Sequence, residues 1–201
     1  MLAGQIDILV GTQMIAKGHD FPKVTLVGVL GADSILNFPD FRSGERSFSL
    51  FTQVAGRAGR ASGGGRVLIQ SYNPDHYALS CAAEQDFLNF YQQELPFREE
   101  LGYPPYGHLV NLVFSGNNPS QVKSASRQFG YYLTDMTHSV EVLGPSPCPL
   151  SRLRGRSRYQ ILLKSTDRPA LRRLLNCLDS GIKQLPRQVK LSIDVDPIEM
   201  L

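Results

Sequence analysis

The sequence predicts an α/β fold in two parts: a mostly parallel sheet in the first half and a small βαββαβ domain in the second. Apolar runs and helical segments alternate as strand, helix and strand in the first half and follow a βαββαβ order in the second. A shift in charge between the halves supports the division. Residues 1–102 contain 8 Lys and Arg against 11 Asp and Glu, whereas residues 103–201 contain 13 against 7. The basic second half indicates an acidic partner, either a nucleic acid or an acidic peptide.

In the first half, predicted strands alternate with a loop and a helix. Apolar runs closed by Gly or Asp indicate buried strands, and helical spacing of apolar residues indicates a helix. The predicted strands are 6–10, 24–33 and 65–72, the long loop is 34–46 and the helix is 47–59. Strand, helix and strand in succession favour a parallel sheet.

Before the second half, a connecting helix is predicted over 75–95, stopped by Pro96, and GYPPYGH at 102–108 breaks the chain. Four strands and two helices follow, with a loop rich in Pro, Ser and Arg between the second and third strands. The strands are 109–116, 140–145, 159–165 and 189–197, the helices are 119–136 and 168–185, and the loop is 145–158. The predicted organisation is a first domain at 1–73, a connecting helix at 74–102 and a basic domain at 103–201.

Composition and cysteine spacing exclude several classes of protein. Of the 201 residues, 42% are hydrophobic, and no apolar run approaches the roughly 18 residues of a membrane span. The first residues lack the basic region and cleavage site of a signal peptide. Cys81, Cys148 and Cys177 lie far apart and form no C-x-x-C pair. We therefore expect cytoplasmic thiols, with no disulfide framework and no metal site.

The stretch QVAGRAGR, 53–60, places two arginines among glycines. At about 100° per residue, Gln53, Arg57 and Arg60 share one side of a helix. The opposite side holds Phe48, Phe51, Ala55 and Ala58. Each helical glycine costs about 1 kcal/mol relative to alanine, which favours close approach by another body. Two guanidiniums beside an amide suit the phosphates of a nucleotide, and the alternative is a solvated basic face.

Two motifs carry a resemblance to a known family. QVAGRAGR resembles the sixth motif of superfamily 2 helicases, Q-x-x-G-R-x-G-R, and VGTQMIAKGHDFP at 10–22 resembles their fifth. GTQMIAKGHDFPKVTLVGVLGAD, PDFRSGER and the terminal IDVDP together resemble the primosomal replication-restart DNA helicases, over essentially the whole chain. The resemblance implies that the first domain is the C-terminal part of RecA-like helicase lobe two.

The resemblance assigns nucleotide contacts to five residues. Arg60 matches the arginine finger that reaches the γ-phosphate, Arg57 its companion, and Gln53 the glutamine that faces the nucleotide. Gly18 and Asp20 match the end of the fifth motif, near the ribose. ATP and Mg²⁺ are the implied cofactors, held mainly by a first lobe.

Further residues of the first domain are candidates for DNA contact or for support. Thr12 and Gln13 match residues of the fifth motif that face the DNA backbone, and Lys17 touches phosphate or is simply solvated. An ion-pair network is expected to brace the helix of the sixth motif. Its members are Asp40, Arg42, Glu45 and Arg46.

Some motifs of a complete helicase do not occur in these residues. The chain contains no G-x-x-x-x-G-K-[ST] and no D-E-x-H stretch, so we expect it alone neither to hydrolyse ATP nor to unwind DNA. The resemblance implies Zn²⁺ for full-length members, bound by paired cysteines upstream of the fifth motif. We also expect the first domain to expose an apolar sheet edge and to associate or aggregate.

Two basic clusters stand in the second domain. One comprises Arg152, Arg154, Arg156 and Arg158, whose alternate spacing would place all four on one side of an extended chain. The other comprises Arg168, Arg172 and Arg173, with Lys164 just before. The resemblance implies branched or single-stranded DNA, the acidic tail of single-stranded DNA-binding protein and other primosome proteins as partners. Arg152, Arg154 and Arg156 are the candidate DNA contacts, and a solvated loop is the alternative.

Two functions of different class follow. The first is the C-terminal portion of an ATP-dependent DNA helicase that recognises stalled or branched forks and restarts replication by primosome assembly. The second is a non-catalytic DNA- and protein-binding module, in which Arg57 and Arg60 would not matter. An RNA helicase is disfavoured because PDFRSGER and IDVDP match the restart helicases.

Overall fold

The computed structural model describes residues 6–13, 24–58 and 65–200, apart from the side chains of residues 57 and 58. The chain divides into two compact units, Met1–Leu95 and Pro96–Leu201. Within the described residues, no helix is both long and apolar enough to cross a membrane.

The first unit is built on a parallel pair of strands. Its elements are β1 (Leu26–Val29), α1 (Asp33–Leu36), α2 (Ser43–Ala58), β2 (Arg66–Ile69), α3 (Tyr77–Glu84) and α4 (Phe87–Glu100), which continues past the end of the unit. β1 and β2 pair in parallel, from Leu26 opposite Arg66 to Val29 opposite Ile69. The predicted parallel arrangement is therefore confirmed. Leu26 and Leu68 are more than half exposed on this small sheet.

The core of the first unit lies against one side of α2. Phe48 and Phe51 are buried with Leu36, Leu79 and Phe90. The rings of Phe48 and Phe90 stack with 4.4 Å between their centroids. The predicted apolar side of the helix is thus confirmed at both phenylalanines, and Val54 is buried as well.

Two sequence predictions in the first unit were wrong. Residues 6–10 form no strand and are exposed, because among the described residues no neighbouring strand satisfies their backbone groups. The predicted loop 34–46 contains most of α1 and the start of α2. Asp40 causes the earlier helix start, since its carbonyl and carboxylate accept hydrogen bonds from the amides of Ser43 (3.0 Å) and Arg42 (2.9 Å).

The helix predicted over 75–95 is two helices, and Pro96 does not stop the second one. Gln85 ends α3 in the left-handed conformation, with φ of 55°. Asp86 then starts α4, because its side chain accepts a hydrogen bond from the Asn89 amide at 2.9 Å. Pro96 lies inside α4, whose last turn is held in part by a contact from Arg98 to the Pro104 carbonyl (3.4 Å).

The second unit has the predicted βαββαβ order. Its elements are β3 (His108–Gly116), α5 (Pro119–Met136), β4 (Glu141–Leu153), β5 (Arg156–Ser165), α6 (Arg168–Asn176), α7 (Asp179–Lys183) and β6 (Lys190–Val195). The strands form an antiparallel sheet in the order β4-β5-β3-β6. Alternate residues of β3 and β5 meet α5 and α6 in one core. This core contains Leu112, Phe114, Phe129, Leu133, Ile161, Leu163, Leu171 and Leu174.

The predicted loop 145–158 is a hairpin, so this prediction was wrong. β4 continues to Leu153 and β5 begins at Arg156, with Arg154 and Gly155 as the turn. Both turn residues have positive φ, 50° and 78°, which matches the twist of the flanking strands. The prolines of the segment hid this strand, because an edge strand tolerates proline where its amide would face outward. The helix predicted over 168–185 likewise divides into α6 and α7.

Candidate nucleotide and nucleic-acid interfaces

The residues predicted to meet a nucleotide belong to α2 and to the segment after it. Gln53 is exposed on α2, away from the buried Phe48 and Phe51. Arg57 lies one turn further along the same helix, and its side chain is outside the described part of the structure. Arg60 is also outside the described residues. The side of α2 that carries Gln53 is therefore open to solvent, as an interface requires.

The predicted residues of the fifth motif are only partly described. Thr12 and Gln13 are both exposed. Lys17, Gly18 and Asp20 lie outside the described residues. Their roles at the DNA backbone and the ribose stay predictions.

Charged side chains brace the start of α2, as the sequence predicted. The Asp40 side chain is fully buried, and its Oδ2 lies 2.9 Å from Nη1 of Arg46. Arg42 donates through Nε to Oε2 of Glu45 at 3.2 Å. The other carboxylate oxygen of Asp40 accepts a hydrogen bond from the Arg42 amide. One buried carboxylate therefore holds both the backbone just before α2 and the Arg46 side chain in its first turn.

Glu94 is a further buried carboxylate at the start of α2. Its Oε2 accepts a hydrogen bond from Tyr77 Oη at 2.6 Å. A Cβ at Gly44, the second residue of α2, would lie 2.8 Å from both of these oxygens. Glycine therefore allows the carboxylate to approach the helix N-terminus, where free amides and the helix dipole favour negative charge. Sequence reasoning missed Glu94, because nothing local links residues fifty positions apart.

His76 adds to this cluster from the start of α3. Burial lowers the pKa of His76, and the Glu94 carboxylate partly offsets the effect. The neutral ring can act as a helix cap, because its Nδ1 accepts a hydrogen bond from the Ala78 amide at 3.2 Å at the start of α3.

Asp33 joins the carboxyl ends of the two parallel strands. Its carboxylate accepts hydrogen bonds from Ser71 Oγ (2.9 Å) and from the Tyr72 amide (3.1 Å). Desolvation raises the pKa of Asp33, but hydrogen bonds from Ser71, Tyr72 and Asn73 outweigh it, and the net pKa is lowered. Asp33 thus stays ionised and holds together the segments that follow β1 and β2. Parallel sheets commonly bind ligands at this carboxyl end of their strands. The sequence showed Asp33 only as the end of a strand.

The arginines of the β4–β5 hairpin do not share one face. Arg152 pairs with Ser157 across the hairpin and Leu153 pairs with Arg156, so Arg152 and Arg156 point to opposite faces. Arg152 and Arg154 are exposed near the tip, whereas Arg156 is half-buried and donates to the Ser115 carbonyl at 3.3 Å. The prediction that alternate spacing places them together was wrong, because the tight turn reverses the chain between them.

The second basic cluster lines a groove of about 790 Å³. Arg168, Arg172 and Arg173 border it from α6, and its apolar lining includes Val110, Leu171 and Val195. Arg168 lies 3.4 Å from Asp196 and Arg173 lies 3.4 Å from Asp167. Among the described residues, Arg172 has no carboxylate within ion-pair distance.

Lys164 does not belong to this groove. Its Nζ lies 2.9 Å from Glu141 and donates to the Leu101 carbonyl at 2.7 Å. It also lies 5.3 Å from the centre of the Tyr103 ring. Lys164 was predicted to belong to the second basic cluster because it is near in sequence, and the structure places it elsewhere.

The cysteines and carboxylates show no metal site in the described ranges. No group of three or more His, Cys, Asp or Glu there is arranged to hold a metal ion. The three cysteines are free, and burial raises the pKa of the Cys81 and Cys148 thiols.

Comparison with known proteins first defines the class. Residues 2–62 match the helicase conserved C-terminal domain, and this fits the parallel first unit as part of a RecA-like lobe. Residues 99–198 match the primosomal protein N C-terminal domain, which corresponds to the βαββαβ unit.

Relatives then define the family. Replication restart protein PriA of Bacillus subtilis is 42% identical over 201 residues, covering 98% of this chain and 25% of the relative. PriA of Synechocystis is 43% identical over 199 residues, covering 98% and 24%. PriA of Treponema pallidum is 43% identical over 200 residues, covering 99% and 30%. The chain belongs to the replication restart protein PriA family, and it spans about a quarter of the length of these relatives.

Proposed function

We propose that this chain is the C-terminal portion of an ATP-dependent DNA helicase that recognises stalled or branched forks and restarts replication by primosome assembly. The observation that carries the proposal is the geometry of α2. Its aromatic side is buried, its first turn is braced by Asp40 and approached closely by Glu94 at Gly44, and Gln53 is exposed one turn before Arg57. A helix braced in this way holds Gln53 at a defined place on an open side, where it can meet a nucleotide without reorganisation.

In this proposal the cofactors are ATP and Mg²⁺, and the chain supplies only part of their site. Gln53, Arg57 and Arg60 suit the phosphates, because guanidinium forks match phosphate oxygens. When bound, Mg²⁺ neutralises charge on the transferring phosphate. We assign its ligands, the phosphate-binding loop and any zinc ligands to the rest of the relatives' length. A cytoplasmic location at the nucleoid follows from this function.

The proposal is tested by ATP hydrolysis in two proteins. The 201-residue chain alone is expected to show none, because its arginines would face no bound nucleotide. The same chain preceded by the rest of a PriA-length protein is expected to hydrolyse ATP and to be stimulated by DNA. Absence of stimulated hydrolysis in the long protein would favour the non-catalytic binding module instead.

For the DNA contact we propose the tip of the β4–β5 hairpin. Arg152 and Arg154 are exposed there, whereas Arg156 is engaged by a backbone carbonyl. Exposed guanidiniums on a projecting turn can follow a phosphate backbone without reading its sequence.

Replacing Arg152 and Arg154 together by alanine is expected to weaken binding to a forked DNA about tenfold. The slope of log affinity against log salt should become shallower by about 1.5 to 2, because fewer counterions are released when the protein makes fewer phosphate contacts. The matched control is Lys123→Ala with Arg127→Ala, which removes the same charge from exposed positions of α5. Equal effects of the two double variants, measured by fluorescence anisotropy, would exclude the hairpin as the contact.

For the acidic tail of single-stranded DNA-binding protein we propose the groove at α6. Three arginines border it, one of them without a carboxylate among the described residues, and its lining combines charge with apolar side chains. An acidic peptide with apolar residues fits both features.

A further inference from the structure

The two edges of the four-stranded sheet differ in their ability to accept another strand. β4 forms one edge and carries Pro145, Pro147 and Pro149 at alternate positions, so three amide donors are missing there. Register shifts also interrupt its pairing with β5. β6 forms the other edge, contains no proline and pairs regularly with β3 over six residues. The sheet therefore blocks one edge and leaves the other competent for pairing.

The pairing with β3 shows which groups of β6 face outward. The amide of Asp196 donates to the Leu109 carbonyl at 2.9 Å, which marks a hydrogen-bonded pair of residues. In an antiparallel ladder, alternate residues direct both N–H and C=O to the partner strand. Leu191, Ile193 and Val195 consequently direct these groups away from β3. Among the described residues, no strand pairs with them there.

The outward edge lies beside the groove of α6. The side chain of Val195 lines the groove and is 53% exposed, and that of Ile193 is 42% exposed. Arg168 and Arg172 line the same groove from α6, and Arg168 lies 3.4 Å from Asp196, which directly follows β6. An extended chain along β6 would thus meet backbone partners on one side and guanidiniums on the other.

We propose that β6 accepts an extended acidic peptide of a partner protein as a fifth strand, whose carboxylates face Arg168 and Arg172 across the groove. Charge selects an acidic peptide, and the free edge selects an extended conformation. The inference rests on the proposed binding of an acidic tail in this groove, and adds how the tail is held. If the peptide pairs through its backbone, its affinity depends on its amide groups. If only charges attract it, its affinity does not depend on those amides.

The probe is a fluorescein-labelled ten-residue peptide that alternates Asp and Val, added to the 201-residue chain. Two further peptides carry N-methyl groups, one on every Val amide and the other on every Asp amide. In a strand only one of these sets faces β6, so one methylated peptide should bind at least tenfold more weakly and the other nearly as well as the parent. Equal binding of the two methylated peptides would overturn strand addition.

Hydrogen exchange of the unmodified chain gives an independent measurement. The amides of Ile193 and Val195 should exchange at least tenfold more slowly when the parent peptide is bound. Those of Ser192 and Asp194, which face β3, serve as the internal control. No slowing at Ile193 and Val195, with the peptide bound, would contradict the proposal.

Variants separate the edge from the charge. Ile193→Pro removes the outward amide, whereas Ile193→Ala shortens the same side chain and keeps the amide, so proline should weaken binding five- to tenfold more than alanine. If Arg168→Ala with Arg172→Ala abolishes binding but both methylated peptides bind equally, the acidic groove stands and the fifth strand does not. If the parent peptide does not bind at all, the groove proposed for the acidic tail fails as well.

Discussion

Replacing Phe51 by alanine should unfold the first unit and leave the second unit folded. Phe51 is 1% exposed and lies at the centre of the core that joins α2 to α1, α3 and α4. Truncating a buried phenylalanine costs about 3–5 kcal/mol, from lost apolar burial and from the cavity left behind. Among the residues that the structure describes, the core of the first unit is the smaller of the two, so this loss is a large share of its stability. The second unit has a separate core, to which Phe51 does not belong.

Hydrogen exchange read by mass spectrometry can follow each unit, which matters because the chain contains no tryptophan. Peptides from α2 should lose protection in Phe51→Ala, and peptides from β3 and β5 should keep it. Phe87→Ala is the matched control, since that ring is 59% exposed and its loss should cost less than about 1 kcal/mol. Loss of protection in both units would show that they unfold as one cooperative body.

Periodic features of this chain could be predicted from sequence because they depend on local spacing. The 100° advance along 47–59 identified Phe48 and Phe51 as buried and Gln53 as exposed, and all three are placed so. The βαββαβ order of the second unit also followed from alternating apolar runs. In both cases the spacing of apolar residues indicates which side of a helix or strand packs against the core, and that side is the one buried in the structure.

Features that depend on pairing or on distant residues could not be predicted. The hairpin at 141–165 was missed because prolines argue against a strand unless the strand is known to lie at an edge. Residues 6–10 have strand composition but no partner among the described residues, so composition alone misled.

Side chains that converge from distant segments were also beyond sequence reasoning. Glu94 reaches the start of α2 through Gly44, and nothing in either local sequence indicates the other. The groove of α6 combines that helix with β3 and β6, so its arginines were visible in the sequence while its apolar lining was not. Convergence of this kind is a property of topology, which a linear pattern does not contain.

Replacing Arg60 by alanine should have the largest functional effect of any single change in this chain. In the full PriA-length protein we expect kcat for DNA-stimulated ATP hydrolysis to fall at least 10³-fold, roughly 4 kcal/mol in the transition state. The KM for ATP should change little, because the guanidinium acts on charge that develops on the γ-phosphate during transfer. This expectation rests on the proposed function and on the braced first turn of α2, the helix that contains Gln53 and Arg57.

Two further variants separate this role from general loss of charge or fold. Arg60→Lys should recover little of the rate, since an ammonium cannot reproduce the planar fork that contacts two oxygens. Arg66→Ala removes an equal charge from an exposed position at the start of β2 and should leave kcat within about twofold of the parent protein. Circular dichroism melts of all three variants check that folding is unchanged. Similar rates for Arg60→Ala and Arg66→Ala would show that Arg60 does not act on the γ-phosphate, and the non-catalytic binding module would then be the better description of the chain.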